Sequence, residues 1–185
     1  MPISTDLITY QYFADWLDSS LSGGETVDYY IHDPYPSEYI PVGFGYGSAL
    51  SHLDYEEAYI VSVFDSIDPY IDLDFNRVYT DNGSELDIYC VQYHTGWESS
   101  TVGSTYAMGY AGSGWFDIAW EYTADWANDR NTIIHEIGHS LGLGHPAGDG
   151  YNPAYNVDDT VMSYNPAVYG WRVEWSQSDI DALVS

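Results

Sequence analysis

Apolar residues recur along the chain at two periods, and the changes between them mark out its elements. Leu7, Tyr10, Ala14 and Leu17 sit at helical spacing and predict a short first helix, after which "DSSLSGGE" reads as a linker. "VDYYIHD" (27–33) predicts a strand, and the stretch behind it, "DPYPSEYIPVGFGYG", is broken by three prolines and three glycines and predicts a loop. Leu53, Ile60, Val63, Phe64 and Ile67 then share one face of a second helix, with Ser51 and Asp54 as a capping pair.

Four segments with strand character follow. "IDLDFNRVY" (71–79) and "WFDIAWEY" (115–122) alternate apolar with polar positions, and "ELDIYCVQYH" (85–94) and "STYAMGYA" (104–111) lie between turn signals. With the first strand they predict a five-stranded sheet carrying one early helix. Ile133, Ile134, Ile137 and Leu141 mark an amphipathic helix that opens on the polar run "TADWANDRN" and ends at Gly142. Residues 146–175 look irregular, and "SQSDIDALVS" closes the chain as a helix capped by Ser176 and Asp179.

The third of these helices and its exit spell "HEIGHSLGLGH", residues 135–145. His135 and His139 are one helical turn apart, so both imidazoles leave the same face and can share one ion. Glu136 lies about 100° around the helix, placed to reach a water on that ion as general base without ligating it. Gly142 can take φ > 0, end the helix and turn the chain so that His145 approaches from another direction. Three protein ligands leave a position for water, as a catalytic zinc site requires. The competing reading is a glycine-rich core helix with hydrogen-bonded histidines.

"HEIGHSLGLGH" matches H-E-x-x-H-x-x-G-x-x-H, and with Met162 in "DDTVMSYNP" the chain resembles the metzincin zinc metallopeptidases. The proline after His145 and the Met-Ser-Tyr sequence at 162–164 are most similar to the serralysin group, with the matrixins as second choice. That resemblance implies an α+β, zincin-like domain with a mixed, mostly parallel five-stranded sheet, an active-site helix, a Met-turn and a C-terminal helix. It divides the chain into residues 1–26, a helix and linker or a pro-segment, and a catalytic domain of residues 27–185, with subdomains 27–145 and 146–185. Zinc would be held by His135, His139 and His145, with Met162 a structural floor and Gly142 the helix stop. Tyr164 would be a fifth zinc ligand at rest and a donor to the transition state. Substrate would pair along the edge strand at Ala107, Met108 and Gly109, and "NPAVYGW" would wall the primed pocket.

The implied activity is a secreted, monomeric zinc endopeptidase acting on extended protein or peptide substrates. Serralysins normally carry a calcium-binding β-roll after the catalytic domain, which this sequence does not show, and no matrixin-type cysteine switch is visible. One alternative is a catalytically silent binding or surface protein on the same fold, against which the intact Glu136 argues. Another is a peptidase kept latent by residues 1–26 through an aspartate on the metal.

Composition sharpens this. The 29 acidic residues face Arg77, Arg130 and Arg172 with no lysine, a formal net charge of −26, which speaks against nucleic acid or an anionic membrane as partner. Such a chain suits saline, calcium-containing or acidic surroundings, and a solvated acidic surface explains it equally well. Asp149, Asp158 and Asp159 form a loop that calcium could bind. Cys90, the single cysteine, reads as a buried thiol, and His32, His52 and His94 as ordinary surface or strand residues. "MPISTDLITYQYFADWLD" has neither a basic region nor an apolar core of a leader, so a secreted form would have lost its signal or carry it elsewhere.

Overall fold

In the computed structural model, which describes residues 2–185, the elements run α1 (Gln11–Leu21), β1 (Thr26–Ile31), β2 (Glu38–Val42), β3 (Gly45–Leu50), α2 (Asp54–Ile67), β4 (Asp74–Val78), β5 (Leu86–His94), β6 (Gly103–Met108), β7 (Trp115–Glu121), α3 (Trp126–Ser140) and α4 (Gln177–Leu183). Five strands lie in the order β4-β1-β5-β7-β6, the first four parallel and β6 antiparallel to β7. This is an α+β architecture with a mixed sheet, as the resemblance implies. The sheet has seven strands, however, because the proline-rich stretch read as a loop is the hairpin β2–β3. Pro41 is tolerated there because β2 pairs with β3 alone and leaves its other edge free. β5 carries both partners on one edge: β1 pairs with residues 86–88, and β3 runs antiparallel to the far half.

Register decides which face is core. Leu86, Ile88 and Cys90 stand beside Phe116, Ile118 and Trp120 of β7 and pack against Ile60 and Phe64 of α2 and Ile133 and Ile137 of α3. The alternate positions face the other way, where Tyr89, Val91, Ala119 and Val42 form a small second core under the hairpin. Cys90 is buried as expected, and burial pushes its thiol upward. His94 is a strand residue, the last of β5, and it and His52 are buried. His52 donates from Nδ1 to the His32 carbonyl, and His94 donates from Nε2 to the Val42 carbonyl at 2.8 Å while its Nδ1 accepts from Gly96 N–H.

Two helix starts differ from expectation. The first helix begins at Gln11, with Leu7 closing a separate single turn, and α2 is capped by Glu56 Oε2 accepting the Leu53 N–H at 2.7 Å, while Ser51 turns away to the Pro34 carbonyl. At α4 the expected pair holds, Ser176 and Asp179 bonding each other's backbone N–H.

Asp87 and Asp117 are register partners on the outward face, so two carboxyls share one buried patch. Asp117 accepts the Gly43 N–H at 2.6 Å and the Trp115 indole N–H at 2.8 Å, tying the hairpin turn to the sheet. Asp87 accepts only the Ser84 hydroxyl, at 2.5 Å, and burial, with Asp117, Asp81 and Glu85 nearby, raises its carboxyl to about 8. A carboxyl that keeps its proton in the folded chain but ionises in the ordinary range when unfolded stabilises the fold at acid pH, and that contribution declines as pH rises towards about 8. Asp87→Asn keeps an acceptor for Ser84 without the charge. Its melting temperature is therefore expected to exceed that of the parent chain by a margin that grows between about pH 5 and pH 8. Parallel melting curves across that range would contradict the assignment.

Candidate metal centre

α3 starts with Asp125, whose carboxylate accepts the N–H groups of Ala127 and Asn128. Its core face is set by Ile133, Ile134 and Ile137, which turns His135, Glu136 and His139 towards a cleft between the helix and β6. The helix ends in a Schellman pair: Gly142 N–H bonds the His139 carbonyl and Leu143 N–H the Gly138 carbonyl, at 2.9 Å each, with Gly142 at φ +98°. The chain then doubles back and delivers His145.

The ligand atoms of His135, His139 and His145 lie within 4.8 Å of one another, and among the described residues no other group of three His, Cys, Asp or Glu side chains converges in this way. His135 donates from Nδ1 to the Val161 carbonyl at 2.8 Å and His139 from Nδ1 to the Leu143 carbonyl at 2.9 Å, so the lone pair of each is on Nε2. Burial lowers all three imidazoles, His135 well below the usual range and His139 to about 4, which keeps them neutral as a metal requires. Two nitrogens, each about 2.05 Å from a tetrahedral zinc, stand about 3.3 Å apart. His135 Nε2 and His145 Nε2 are separated by 3.3 Å, the spacing of two ligands on one such ion, and three neutral imidazoles are a donor set that zinc takes.

Glu136 is buried, and burial raises its carboxyl to about 8 against the opposing effect of Thr105. The Thr105 hydroxyl, on β6, is within reach of Glu136 Oε2 at 2.9 Å and of the Glu136 carbonyl at 2.8 Å. Gly103 must be glycine because a Cβ there would begin 2.7 Å from Glu136 Oε1. Met162 is fully buried, its sulfur against Gly138 on the underside of α3. Tyr164 is at the cleft surface, its ring 5.1 Å from that of His135 and 4.7 Å from that of His145, and its phenol is raised by burial and by Glu136.

The expected edge strand is present, with β6 paired only to β7. The part of it that lines the cleft is residues 103–105, and not Ala107, Met108 and Gly109. Met108 opens instead into the separate cavity beside Asp87 and Asp117, and Gly109 lies beyond the strand at φ +83°. Asp149, Asp158 and Asp159 do not converge on a point: Asp149 and Asp159 close turns on the N–H groups of Tyr151 and Asn156.

Three supports are invisible in the sequence pattern. Thr105 is one. The carbonyls of Val161 and Leu143 are the second. Asp179 is the third: besides capping α4 it accepts Thr160 Oγ1 at 2.5 Å and Val161 N–H at 3.1 Å, anchoring the turn whose carbonyl orients His135. Only its capping role has a sequence signature.

No family model matches the chain. Two curated proteins match parts of it. Metallopeptidase AprA of Pseudomonas marginalis is 42% identical over 83 residues, 38% of this chain and 16% of that protein. Serralysin of Proteus mirabilis is 39% identical over 98 residues, 50% of this chain and 17% of that protein. The relationship is to metallopeptidases. It is partial, since the matched region spans about a sixth of either relative, and neither relative is a matrixin. Among solved structures, a chain of the GM1-bound form of the ECX AB5 holotoxin is similar at TM-score 0.56 and 16% identity, over 100% of this chain and 90% of that one, a likeness of fold alone.

Asp179 offers a direct test of the anchoring. Asp179→Ala leaves Thr160 Oγ, Val161 N–H and Ser176 N–H without their buried acceptor, a cost of about 3 kcal/mol or more. The melting temperature is expected to fall by about 10 °C, with Asp179→Asn losing less. A fall no larger than that of an exposed substitution would show that the turn is held by other contacts.

Proposed function

We propose that the chain is a zinc-dependent endopeptidase that cleaves extended protein or peptide substrates. The observation that carries this reading is the convergence of three neutral imidazoles on one point, with the buried Glu136 carboxyl facing the same cleft. Two cavities meet at Glu136, one of about 680 Å³ bounded by His139, His145 and Tyr10 and one of about 250 Å³ reaching Asn131, Thr132 and Trp171. An extended chain can therefore cross the centre and place side chains on both sides of the bond to be cut.

When bound to His135, His139 and His145, zinc supplies Lewis acidity, polarising the scissile carbonyl and lowering the pKa of a water to about 7. The attacking water gives its proton to Glu136, whose carboxyl then passes it to the leaving amine. In the metal-free chain burial raises this carboxyl, and a carboxylate held in such surroundings is a stronger base than one in water. Thr105 steers Oε2 of that carboxyl. Tyr164, beside His135 and His145, is placed to donate its hydroxyl to the oxyanion, and Gly150 leaves room for its ring. Substrate pairs with the free edge of β6 at residues 103–105. The reading extends to a secreted enzyme, and no helix among the described residues is long and apolar enough to cross a membrane.

The deciding comparison is between the parent chain and Glu136→Gln, with zinc content and cleavage of an unstructured protein such as casein measured together. The variant is expected to hold zinc as the parent does and to lose about 10²-fold or more in rate, while chelation abolishes parental cleavage and added zinc restores it. Stoichiometric zinc with no Glu136-dependent cleavage would favour a silent binding protein instead.

A further inference from the structure

We propose that residues 3–17, before the first strand, are a positioning clamp for the metal centre: they hold the turn at residues 142–144 from which His139 is oriented and His145 is delivered. The proposal rests on the zinc reading above. The helix's own hydrogen bonds reach only as far as Leu143 N–H. Beyond it, the N–H of Gly144, the residue next to the third histidine, donates to the Ile8 carbonyl at 2.7 Å. On the other side of the same antiparallel bridge between Thr9 and Leu143, the Tyr10 N–H donates to the Gly142 carbonyl at 2.7 Å. Leu143, held between these two bonds, is the residue whose carbonyl accepts from His139 Nδ1. Movement of that backbone would therefore be felt by two of the three ligands.

Side chains close the same contact. A Cβ on Gly142 would begin 2.9 Å from Ala14 Cβ, and one on Gly144 would begin 3.2 Å from Tyr10 Cβ, so the two backbones are packed as near as glycine permits. Phe13 stands edge-on to the His139 ring at 6.4 Å and to Phe116 of the core at 5.2 Å. The segment is itself anchored: Ile3, Ile8 and Leu17 are core residues, and Ile3 N–H donates to Ser178 Oγ on α4 at 3.0 Å. A mask waiting to be removed would place a carboxylate among the imidazoles. Asp6 instead lines the cavity with Tyr10 and Phe13, and no carboxylate oxygen joins the three converging nitrogens among the described residues.

The test is zinc affinity of the metal-free full chain, by competition with a chromophoric chelator, together with the visible spectrum of the cobalt(II) form, which reports coordination without any need for catalysis. Ala14→Leu pushes on Gly142, and Tyr10→Pro removes the N–H that bonds its carbonyl. Each is expected to weaken zinc binding by about 10- to 100-fold, as loss of a group that orients a ligand does, and to alter the cobalt spectrum. Ile67→Ala, a core change on α2, is the control: it should lower the melting temperature comparably while leaving affinity and spectrum unchanged. Parental affinity and spectrum in both clamp variants, or equal weakening in the control, would overturn the clamp. A parent chain that binds no zinc would overturn the metal reading itself, and the clamp with it.

Discussion

The structure turns on two hydrogen bonds that point imidazoles at a common target. An imidazole has two nitrogens, and a hydrogen fixed on one leaves the lone pair on the other. His135 gives its Nδ1 hydrogen to Val161 and His139 gives its own to Leu143, so both Nε2 lone pairs face inward. Neither acceptor lies in the helix that carries the histidines. Val161 belongs to the buried turn with Met162, and Leu143 to the exit of α3. The candidate metal centre is thus a meeting of three chain segments, and each needs its own anchor.

Those anchors explain features that have no meaning within their own elements. Asp179 is buried because it must accept from Thr160, Val161 and Ser176 at once, and so α4 serves as a brace for the turn at 160–164. Met162 fits under α3 only because residue 138 has no side chain. The seven-stranded sheet supplies the rest: β7 holds β6 at the register that sets Thr105 beside Glu136, and Gly103 lets the strand pass close over that carboxyl. The chain has no lysine and only three arginines, and in the metal-free chain burial raises the Glu136 carboxyl with only the Thr105 hydroxyl opposing it.

What could be read from the sequence followed from periodicity. The i, i+4 spacing of His135 and His139, the glycine stop at Gly142 and the alternation in β7 are local rules, and the structure obeys them. The hairpin β2–β3 escaped because prolines and glycines signal a break, and only a tertiary fact, that β2 is an edge, makes Pro41 acceptable within a strand. The choice of Ala107, Met108 and Gly109 as the substrate edge strand found the right strand for two of the three, while the part of β6 that lines the cleft is 103–105, for a related reason. A strand's alternation shows that it exists, but which of its residues lie above α3 depends on how far it slides along β7.

The same distinction separates ligands from their supports. A metal ligand must be His, Cys or a carboxylate, so chemistry restricts its identity and leaves a mark in the sequence. A support often acts through a backbone carbonyl or N–H, which every residue but proline can supply in full. Ile8, Leu143 and Val161 have buried apolar side chains like many core residues, and the carbonyls that matter carry no mark of side-chain identity, so no motif could announce them. Their effect on the imidazoles is nevertheless direct, because the hydrogen bond at Nδ1 fixes which way each Nε2 lone pair faces. A centre of this kind is therefore specified twice, once by side chains that can be read in a line of sequence and once by backbone geometry that exists only when distant segments have met.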